Sequence, residues 1–502
     1  MIDYHALLPE FILAGTVLLV LVMDLFVVKK YWVAVVGMVG LFAAMVPLLT
    51  LGFCSDLVGC DAETVDRVMF GGSYVVDSYA LVLKGLFIGS AFLALLLSVG
   101  YLEGGRYYEG EYYFLLLASA LGAVFMASSR DFITMIVALE LVSGPAFLMA
   151  GWKKGSEKSN EAALKFFLIG VVALALLLMG VSMVYGLTGN QLFAALRQVS
   201  AAQIDTPLFT LGVVFIILGF GFKVSAVPFH YWTPDTYQGA PMPVTAWLSV
   251  GSKAAGFVGL LSVCYLAFPT VTELWGPLLW LVAVLSMTWG NLVALRQTNV
   301  VRLLGYSSIA QAGFMLAPFG AAAAAGGEEL AGAFAATVAY LLIYAVMNLG
   351  AFAVVIAISH KTGSAELKDW GGLNRYAPGL AALTAVFFFS LAGIPPLAGW
   401  FAKLAMFNAL ITAGNGWGYS LAVIAAVNSV VALVYYAKVA KAVYFDDVPA
   451  SIDVDLARER LPSPGLVLAL GITSVFVLLL GVFPNVVAAL SRFSTDFLAG
   501  GL

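Results

Sequence analysis

The sequence predicts an all-α protein that crosses a membrane about fourteen times. Of its 502 residues, 62% are hydrophobic and only 10% are charged, and the mean hydropathy is +1.00. Soluble domains of this size carry far more charge, so this composition excludes that class. Apolar runs of about 20 residues, the length that crosses a bilayer, recur from end to end. We therefore expect a polytopic membrane protein.

Short polar or basic segments bound the apolar runs and place the spans. We predict spans near 7–28, 31–52, 79–101, 111–128, 131–152, 161–186, 208–236 (broken), 242–267, 275–296, 301–320, 330–359, 378–411 (broken), 417–445 and 464–490. The longest connecting segments lie near 53–78, 187–206, 360–377 and 446–463. Each is shorter than the roughly 50 residues of a compact domain, so we expect no catalytic domain outside the membrane.

Charged residues predict the orientation. Asp3 and Glu10 precede or open the first apolar run without a basic residue, unlike a cleaved signal peptide, so this span is expected to stay. With the N-terminus outside, fifteen of the 24 basic residues fall at cytoplasmic ends or loops, and only four on the other side. Because basic loops resist translocation, this bias predicts a multi-pass protein of the cell inner (cytoplasmic) membrane with its N-terminus outside.

Cofactor and nucleic-acid sites are not predicted in this chain. Its cysteines and histidines lack CxxC or HxxxH spacing, so ligands for haem, iron-sulfur or zinc are missing; they are Cys54, Cys60, Cys264, His5, His230 and His360. No basic patch with interleaved aromatic residues indicates nucleic acid. Cys54 and Cys60 lie in the first long loop, where either a disulfide or two free thiols fits the spacing.

Two spans combine a lysine with prolines. Lys223 is followed by Pro228, and Lys403 is preceded by Pro395 and Pro396. Proline removes a backbone donor and clashes with the preceding turn, so we predict helix breaks that free carbonyl groups within the membrane. The broken spans are the seventh and the twelfth, and they run in opposite directions. That spacing predicts two inverted five-helix repeats with ion sites near the midplane.

The repeat divides the chain into four parts, and the division depends on spacing and breaks rather than on residue identity between the halves. We predict an N-terminal three-helix segment at 1–110, a first five-helix repeat at 111–267, a second inverted repeat at 275–445, and a C-terminal loop with the last helix at 446–502.

Five charged residues within the spans are candidates for proton translocation: Glu140, Lys165, Lys223, Lys253 and Lys403. An ammonium group at the bilayer centre costs about 2.5–3.5 kcal/mol even on the insertion scale, so such residues usually line a cavity or ion path. The charge state of Glu140 depends on whether a lysine is close, and Lys165 and Lys223 are the expected partners. Making and breaking this contact would switch the lysine between holding and releasing a proton.

Two lysines have structural explanations that compete with a functional one. Lys165 lies about a turn inside the membrane, so snorkelling to the interface explains it nearly as well as a relay role. Lys84 lies near the start of its span and is expected to snorkel or to pair with Asp77.

Four further residues are possible relay groups. His230 and Asp235 lie past the first break and would either carry protons or cap the broken helix. Tyr435 and Lys438 could continue a polar path along the thirteenth span, although a basic residue at that end also satisfies the positive-inside tendency.

The central motif carries a family resemblance. Residues 228–241 read PFHYWTPDTYQGAP and are similar to the PFHxWxPDxYxGAP signature of the N-type antiporter-like membrane subunits of proton-pumping NADH:quinone oxidoreductase, respiratory complex I. The related L, M and Mrp-type subunits carry a PDAxEAPT-like version. The stretches LGYSSIAQ at 304–311 and GIPPLAGWFAK at 393–403 also resemble this family, and the likeness covers essentially the whole chain.

The resemblance implies fourteen helices, two inverted five-helix bundles and a central charged axis. Glu140 resembles the glutamate of helix five, Lys165 the additional lysine of helix six, and Lys223, Lys253 and Lys403 the lysines of helices seven, eight and twelve. Lys253 would pass protons along the axis, and Lys403 would exchange them with one side of the membrane.

The resemblance also implies partners and cofactors. The chain would act as an enzyme only as a subunit of a translocase and would hold no redox centre. NADH, FMN, iron-sulfur clusters and quinone would bind to other membrane and peripheral subunits of the complex. Two alternatives remain open: an Mrp-type cation/proton antiporter subunit driven by ion gradients, and a membrane scaffold without its own proton path.

Overall fold

A computed structural model describes residues 2–52, 66–103, 110–199, 201–324 and 327–495, and this part of the chain is almost entirely helical. Twelve of its helices are long and apolar enough to cross a membrane. Shorter apolar helices stand where the sequence predicts the two broken spans. The all-α polytopic class is confirmed, whereas the count of fourteen spans stays a prediction. Cys54 and Cys60 lie outside the described residues.

The helices and strands are numbered in chain order. The first half contains α1 (Leu8–Phe26), α2 (Tyr31–Gly52), β1 (Arg67–Met69), β2 (Tyr74–Val76), α3 (Ser78–Glu103), α4 (Gly110–Ser128), α5 (Phe132–Ala150), α6 (Glu157–Thr188), α7 (Phe193–Leu196), α8 (Ala201–Ile204), α9 (Pro207–Lys223), α10 (Trp232–Gly239), α11 (Met242–Trp247) and α12 (Lys253–Leu261). The second half contains α13 (Thr272–Ala294), α14 (Val300–Ala321), α15 (Gly327–Thr362), α16 (Pro378–Ala392), α17 (Ala398–Thr412), α18 (Gly416–Phe445), α19 (Val454–Glu459), α20 (Pro464–Val482) and α21 (Asn485–Phe493).

Successive spans alternate in direction, which gives the bundle two sides. The side on which α1 begins, here the amino-terminal side, holds a two-stranded antiparallel hairpin in which Arg67 pairs with Val76. Tyr74 of this hairpin bridges to Ser129 at the end of α4. On the opposite side, the Asn299 side chain donates to Glu366 Oε1 at 2.9 Å and thereby joins α14 to the segment before α16. These contacts hold neighbouring helix ends in register.

Side-chain caps explain where several spans begin. Each cap residue has extended backbone, and its side-chain oxygen accepts a hydrogen bond from a backbone N–H of the first turn, one of the donors that a helix start leaves unpaired. These caps are Asp131, Ser156, Thr206, Asn299, Asn415 and Ser463. The sequence thus fixes helix starts locally, within otherwise featureless apolar runs.

Both predicted helix breaks are present. The first lies between Lys223, the last residue of α9, and Trp232, the first of α10. The indole Nε1 of Trp232 donates to Phe222 O at 3.2 Å and so satisfies one carbonyl that the break frees. The second break follows Ala392, where Gly393 adopts φ 89° to end α16. The Val227–Pro228 and Pro395–Pro396 peptide bonds are cis.

The eighth span is irregular although the sequence predicts a plain helix. Its 26 residues, Met242–Ala267, include π-helical segments at Leu248–Ser252 and Ser262–Ala267, on either side of α12. A Cβ at Gly256 would stand 2.7 Å from Cβ of Lys223, so only glycine allows this approach of α12 to α9. The close approach brings Lys223 and Lys253 into one region of the bundle.

The last predicted span is too long. The sequence predicts one helix over 464–490, whereas α20 ends at Val482 and the separate helix α21 begins at Asn485. Pro484 stands between them and interrupts the hydrogen-bond ladder. Because apolar residues continue through the interruption, hydropathy alone hides it. On the amino-terminal side, the predicted loop at 187–206 holds α7 and α8.

Candidate functional site

Lys223 lies in an aromatic cage at the end of α9. Its side chain is buried, and Nζ stands 5.5 Å from the ring centroids of Phe147 and Phe222 and 5.8 Å from that of Phe166. Within the described part of the chain, Nζ has no hydrogen-bond partner. Ring faces attract a cation without supplying a counter-charge. The cage therefore holds a lysine that no carboxylate contacts.

Glu140 is the carboxylate whose charge interacts with that of Lys223. It lies half-buried on α5, close enough to Lys223 for their charges to interact. The ion pairs of the described residues do not join Glu140 to Lys223 or to Lys165. Lys165 instead contacts Glu161 and Asp235, each at 2.6 Å, and its side chain is 43% exposed. Of the two alternative partners expected for Glu140, Lys165 is wrong, because it forms ion pairs with Glu161 and the partly exposed Asp235.

Asp235 links three helices on the side opposite the amino terminus. Its Oδ2 contacts Lys165 of α6, and its Oδ1 contacts Nη1 of Arg302 in α14 at 2.6 Å. The same Nη1 donates to Gln238 Oε1 at 3.2 Å. The start of α10 has no side-chain cap, so the capping considered for Asp235 is not found. Its carboxylate instead links α10 to α6 and α14 through partly exposed ion pairs.

His230 lies in the first break and is buried. Its ring packs on Tyr231 with centroids 4.4 Å apart, and Nδ1 has no hydrogen-bond partner among the described residues. The structure therefore places His230 and Asp235 in different surroundings, although the sequence groups them as one pair of relay candidates.

Lys253 is buried and contacts neutral groups. Nζ donates to the backbone oxygen of Ser308 at 2.7 Å and to Ser308 Oγ at 2.5 Å. Two tyrosine hydroxyls, of Tyr344 and Tyr237, lie 3.0 and 3.3 Å from the same Oγ. A hydroxyl can both accept and donate a hydrogen bond, so it can receive a proton on one side and release one on the other.

The polar contacts continue along α14 towards the second break. Ser307 Oγ is hydrogen-bonded to the hydroxyl of Tyr436 at 2.5 Å. Gln311 Nε2 donates to the same hydroxyl at 3.2 Å and to Leu391 O at 3.1 Å. The hydroxyl of Tyr340 donates to Gln311 Oε1 at 2.6 Å. All of these side chains are buried.

Lys403 completes this series. Its Nζ donates to Ala392 O at 2.6 Å, the carbonyl next to the one that Gln311 contacts, and stands 5.0 Å from the ring centroid of Phe314. We call this series the central polar run; its members are Lys253, Ser307, Ser308, Gln311, Tyr436 and Lys403. The run lies between these two buried lysines and passes the second helix break. Its hydrogen bonds form three groups, at Ser308, at Tyr436 and at Ala392, and the groups adjoin only along the backbone, at 307–308 and 391–392.

Tyr435 and Lys438, the two relay candidates of the thirteenth span, lie in different surroundings. The Tyr435 hydroxyl donates to Asn291 Oδ1 at 3.0 Å, and its ring lies 4.4 Å from that of Tyr436, centroid to centroid. Tyr435 therefore borders the central polar run. Lys438 is exposed on the same helix, and no hydrogen bond of the described residues joins it to Tyr435.

Sequence reasoning missed the neutral members of the run. Ser307, Ser308 and Gln311 lie in the family-like stretch at 304–311, which contains no charged residue. Residues three or four positions apart share one helix face, so Ser307 with Gln311, and Tyr340 with Tyr344, form polar stripes on apolar helices. Such stripes were the available signal.

A second buried ion pair lies near the amino-terminal side. Lys84 Nζ contacts Glu10 Oε1 at 2.6 Å, and both side chains are buried. The Tyr74 hydroxyl donates to the same oxygen at 2.6 Å. We call Glu10, Tyr74 and Lys84 the Glu10–Lys84 cluster. The expectation that Lys84 snorkels or pairs with Asp77 is wrong, because α1 brings Glu10 to it and Arg130 contacts Asp77 at 2.6 Å.

Metal-binding geometry is not found in the part of the chain that the structure describes. There, His, Cys, Asp and Glu side chains do not gather in groups of three or more that could hold an ion.

The chain resembles known proteins over most of its length. A family model described as "NADH:quinone oxidoreductase/Mrp antiporter, TM" matches residues 129–429. The chain is 44% identical over 449 residues to NADH-quinone oxidoreductase subunit N 2 of Streptomyces griseus, covering 87% of this chain and 81% of that one. The chain belongs to the family of NADH-quinone oxidoreductase N subunits. The matched region includes Glu140 and every member of the central polar run except Tyr436, and it leaves out the three residues of the Glu10–Lys84 cluster.

Solved structures share the fold of this family member. A chain of respiratory complex I from Thermus thermophilus with bound aureothin is 32% identical, with a TM-score of 0.77, and the match covers 96% of this chain and 99% of that one. A chain of the Mrp complex from Dietzia sp. DQ12-45-1b reaches a TM-score of 0.84 at 20% identity, covering 99% and 98%. The second likeness is one of fold alone.

Proposed function

We propose that this chain is an antiporter-like membrane subunit of an NADH:quinone oxidoreductase and carries part of its redox-coupled proton translocation. The family and the names of its relatives support the assignment to such a complex. The observation that carries the proton role is the central polar run, whose buried neutral groups lie between Lys253 and Lys403.

Neutral partners make these lysines suitable proton carriers. A buried ammonium paired with a carboxylate is held charged, because losing its proton would strand the carboxylate. The partners of Lys253 are the oxygens of Ser308, and that of Lys403 is a backbone carbonyl. Each lysine can release its proton without leaving a buried counter-charge. Lys253 would pass protons along the run, and Lys403 would exchange them with one side of the membrane.

Lys223 and Glu140 would form the switch of the first half. Aromatic faces hold Lys223 without a hydrogen bond, and Glu140 is near but not in contact. A movement that brings the two together would favour the protonated lysine, and one that separates them would favour proton release. Lys165 would tie α6 to Asp235 and act outside the central polar run.

The proposal also covers the repeats, the location of the cofactors and the orientation in the membrane. The two broken spans support inverted repeats at 111–267 and 275–445, flanked by the segments 1–110 and 446–502. Other membrane and peripheral subunits would hold NADH, FMN, iron-sulfur clusters and quinone, and this chain would carry no redox centre. We place it in the cell inner membrane with its N-terminus outside, as the distribution of basic residues favours.

The experiment is NADH-driven proton pumping in sealed vesicles that contain the assembled complex, with quinone-reductase activity measured in parallel. Lys253→Met keeps most of the side-chain volume but cannot carry a proton, so we expect pumping to fall by about tenfold or more. Lys441→Met is the matched control, because Lys441 is exposed at the end of α18.

Three outcomes would contradict this proposal. Wild-type pumping in assembled Lys253→Met complexes would remove the central polar run from the path and favour a scaffold. Purification with cation/proton antiport activity and without flavin would favour an Mrp-type subunit. Failure to purify with NADH-oxidising subunits would reject the assignment to the complex.

A further inference from the structure

A large apolar cavity lies between α2, α3, α15, α20 and α21, away from the central polar run. Its volume is ≈ 760 Å³. Ser90 is the one polar residue among its described lining residues, and the walls include Leu48, Gly85, Gly89, Leu349, Phe476 and Leu490. The cavity is partly open to the surroundings of the bundle.

The cavity has the depth of one membrane leaflet. On α3 it extends from Leu81 to Leu93, which at 1.5 Å per residue is about 18 Å. The hydrocarbon core of a bilayer is about 30 Å thick, so this depth is slightly more than half of it. The lining also includes Gly52, at the end of α2, and Phe493, at the end of α21. The cavity therefore runs from the amino-terminal side to the middle of the bundle.

Two glycines widen the cavity. Gly85 and Gly89 lie one turn apart on α3, and a Cβ built on either would meet nothing within 4 Å. Glycine weakens a helix relative to alanine. Close packing therefore does not require these glycines, and their effect is to leave the wall of the cavity open.

The cavity needs an occupant, because apolar walls without atoms packed against them lose their dispersion contacts. Water is a poor occupant, because it needs several polar partners and the lining offers one hydroxyl. Something apolar must fill the space.

Polypeptide fits the cavity poorly. A membrane-spanning helix needs the full hydrocarbon thickness of about 30 Å, whereas the cavity is about 18 Å deep, so only part of such a helix would lie in it. An extended segment would bury backbone N–H and C=O groups with only Ser90 to pair with them. A hydrocarbon chain has no such groups and is the surrounding solvent of a membrane protein.

We propose that a phospholipid acyl chain from the surrounding bilayer occupies this cavity. The bound chain would fill the gap between α3, α15 and α20 and hold the N-terminal helices against the rest of the bundle. This inference does not depend on the proposed proton role.

The test is photocrosslinking of the full chain, with the partners that purify with it, in nanodiscs of a phospholipid that carries a diazirine in the middle of one acyl chain. Mass spectrometry would locate the adducts. We expect adducts on the segment 81–93 of α3. The exposed positions Phe42 and Val430 serve as references for free lipid. Without the lipid probe, no adducts should form.

Filling the cavity should exclude the chain. In Gly85→Leu/Gly89→Leu, adducts on 81–93 should fall by about fivefold or more relative to the references, because leucine side chains occupy the space. Gly85→Ala/Gly89→Ala is the matched control and should keep adducts within about twofold, because methyl groups leave most of the volume free. If the leucine pair does not fold, Gly89→Leu alone should show about half the loss.

Two results would overturn the proposal. The first is a wild type in which adducts form at the reference positions but not on the segment 81–93. That result would mean that lipid does not enter the cavity, for example because a polypeptide fills it. Equal adducts on 81–93 in the wild type and in the leucine variants would mean that the label reaches α3 from outside the cavity.

Discussion

Lys84 and Lys253 are both buried lysines of the same bundle, but their partners differ in kind. Lys84 contacts a buried carboxylate, Glu10, which also accepts a hydrogen bond from Tyr74. Lys253 contacts the neutral oxygens of Ser308. A paired ammonium is fixed in charge and position, whereas one among neutral acceptors can change charge. Burial alone therefore does not mark a lysine as functional, and the partner decides.

The matched region, 129–429, holds the lysines with neutral or aromatic partners, and the Glu10–Lys84 cluster lies before it. We infer that the cluster fastens the N-terminal helices α1 and α3 to each other, whereas the central polar run is the part that we propose for proton transfer. Each of the following variants tests one side of this comparison.

Lys84→Ala should have the largest effect. Removing one partner of a buried pair strands Glu10 as an uncompensated charge, which costs about 3–5 kcal/mol of stability. The measurement is thermal unfolding of the purified protein, followed by tryptophan fluorescence, together with the yield of assembled complex. Lys441→Ala should behave like the wild type. An unchanged unfolding temperature for Lys84→Ala would show that the cluster does not hold the helices together.

Lys223→Met should impair proton pumping and leave stability nearly unchanged. No carboxylate contacts Lys223, so the apolar replacement strands no partner, and stability should stay within about 1 kcal/mol of the wild type. NADH-driven pumping should fall by about tenfold or more, because methionine carries no proton. Both quantities are measured on the same vesicle preparation. Loss of stability with normal pumping would place Lys223 with the structural lysines instead.

Ser308→Ala probes the neutral partner itself. The variant removes Oγ but keeps the backbone oxygen that also accepts from Lys253. Losing one hydrogen bond of about 1 kcal/mol should lower pumping by about fivefold. Ser308→Thr retains the hydroxyl and should recover most of the rate. Equal rates in the alanine and threonine variants would exclude the hydroxyl from the path.

The sequence predicted the charged part of the site and the breaks because both leave local signals. A lysine or a proline within an apolar run is visible without knowing the fold. The Glu10–Lys84 pair is invisible in this way, because the two residues lie on different helices and no spacing rule connects them. The central polar run was missed for another reason, since its serine, glutamine and tyrosine residues carry no charge that stands out in an apolar run. The π-helical segments beside Lys253 leave no pattern in the sequence.

Replacing both members of the ion pair should be much milder than replacing one. In Glu10→Gln/Lys84→Met, neither side chain is charged, and stability should return to within about 1 kcal/mol of the wild type. The double-mutant cycle with Glu10→Gln and Lys84→Met isolates the coupling between the two side chains. Additive losses in the cycle would contradict a direct ion pair.

Lys438→Gln should have the smallest effect and completes the comparison with an exposed lysine. Lys438 lies on α18 together with Tyr435 and Tyr436, but it is exposed. Tyr436 belongs to the central polar run, and Tyr435 borders it. An exposed ammonium stays solvated whatever its partner, so its loss should change pumping by less than about twofold. Tyr435→Phe, which removes the hydroxyl that contacts Asn291, should lower pumping more than Lys438→Gln does. The reverse order would show that the path leaves the bundle through Lys438, because a solvated lysine limits pumping only where protons enter or leave.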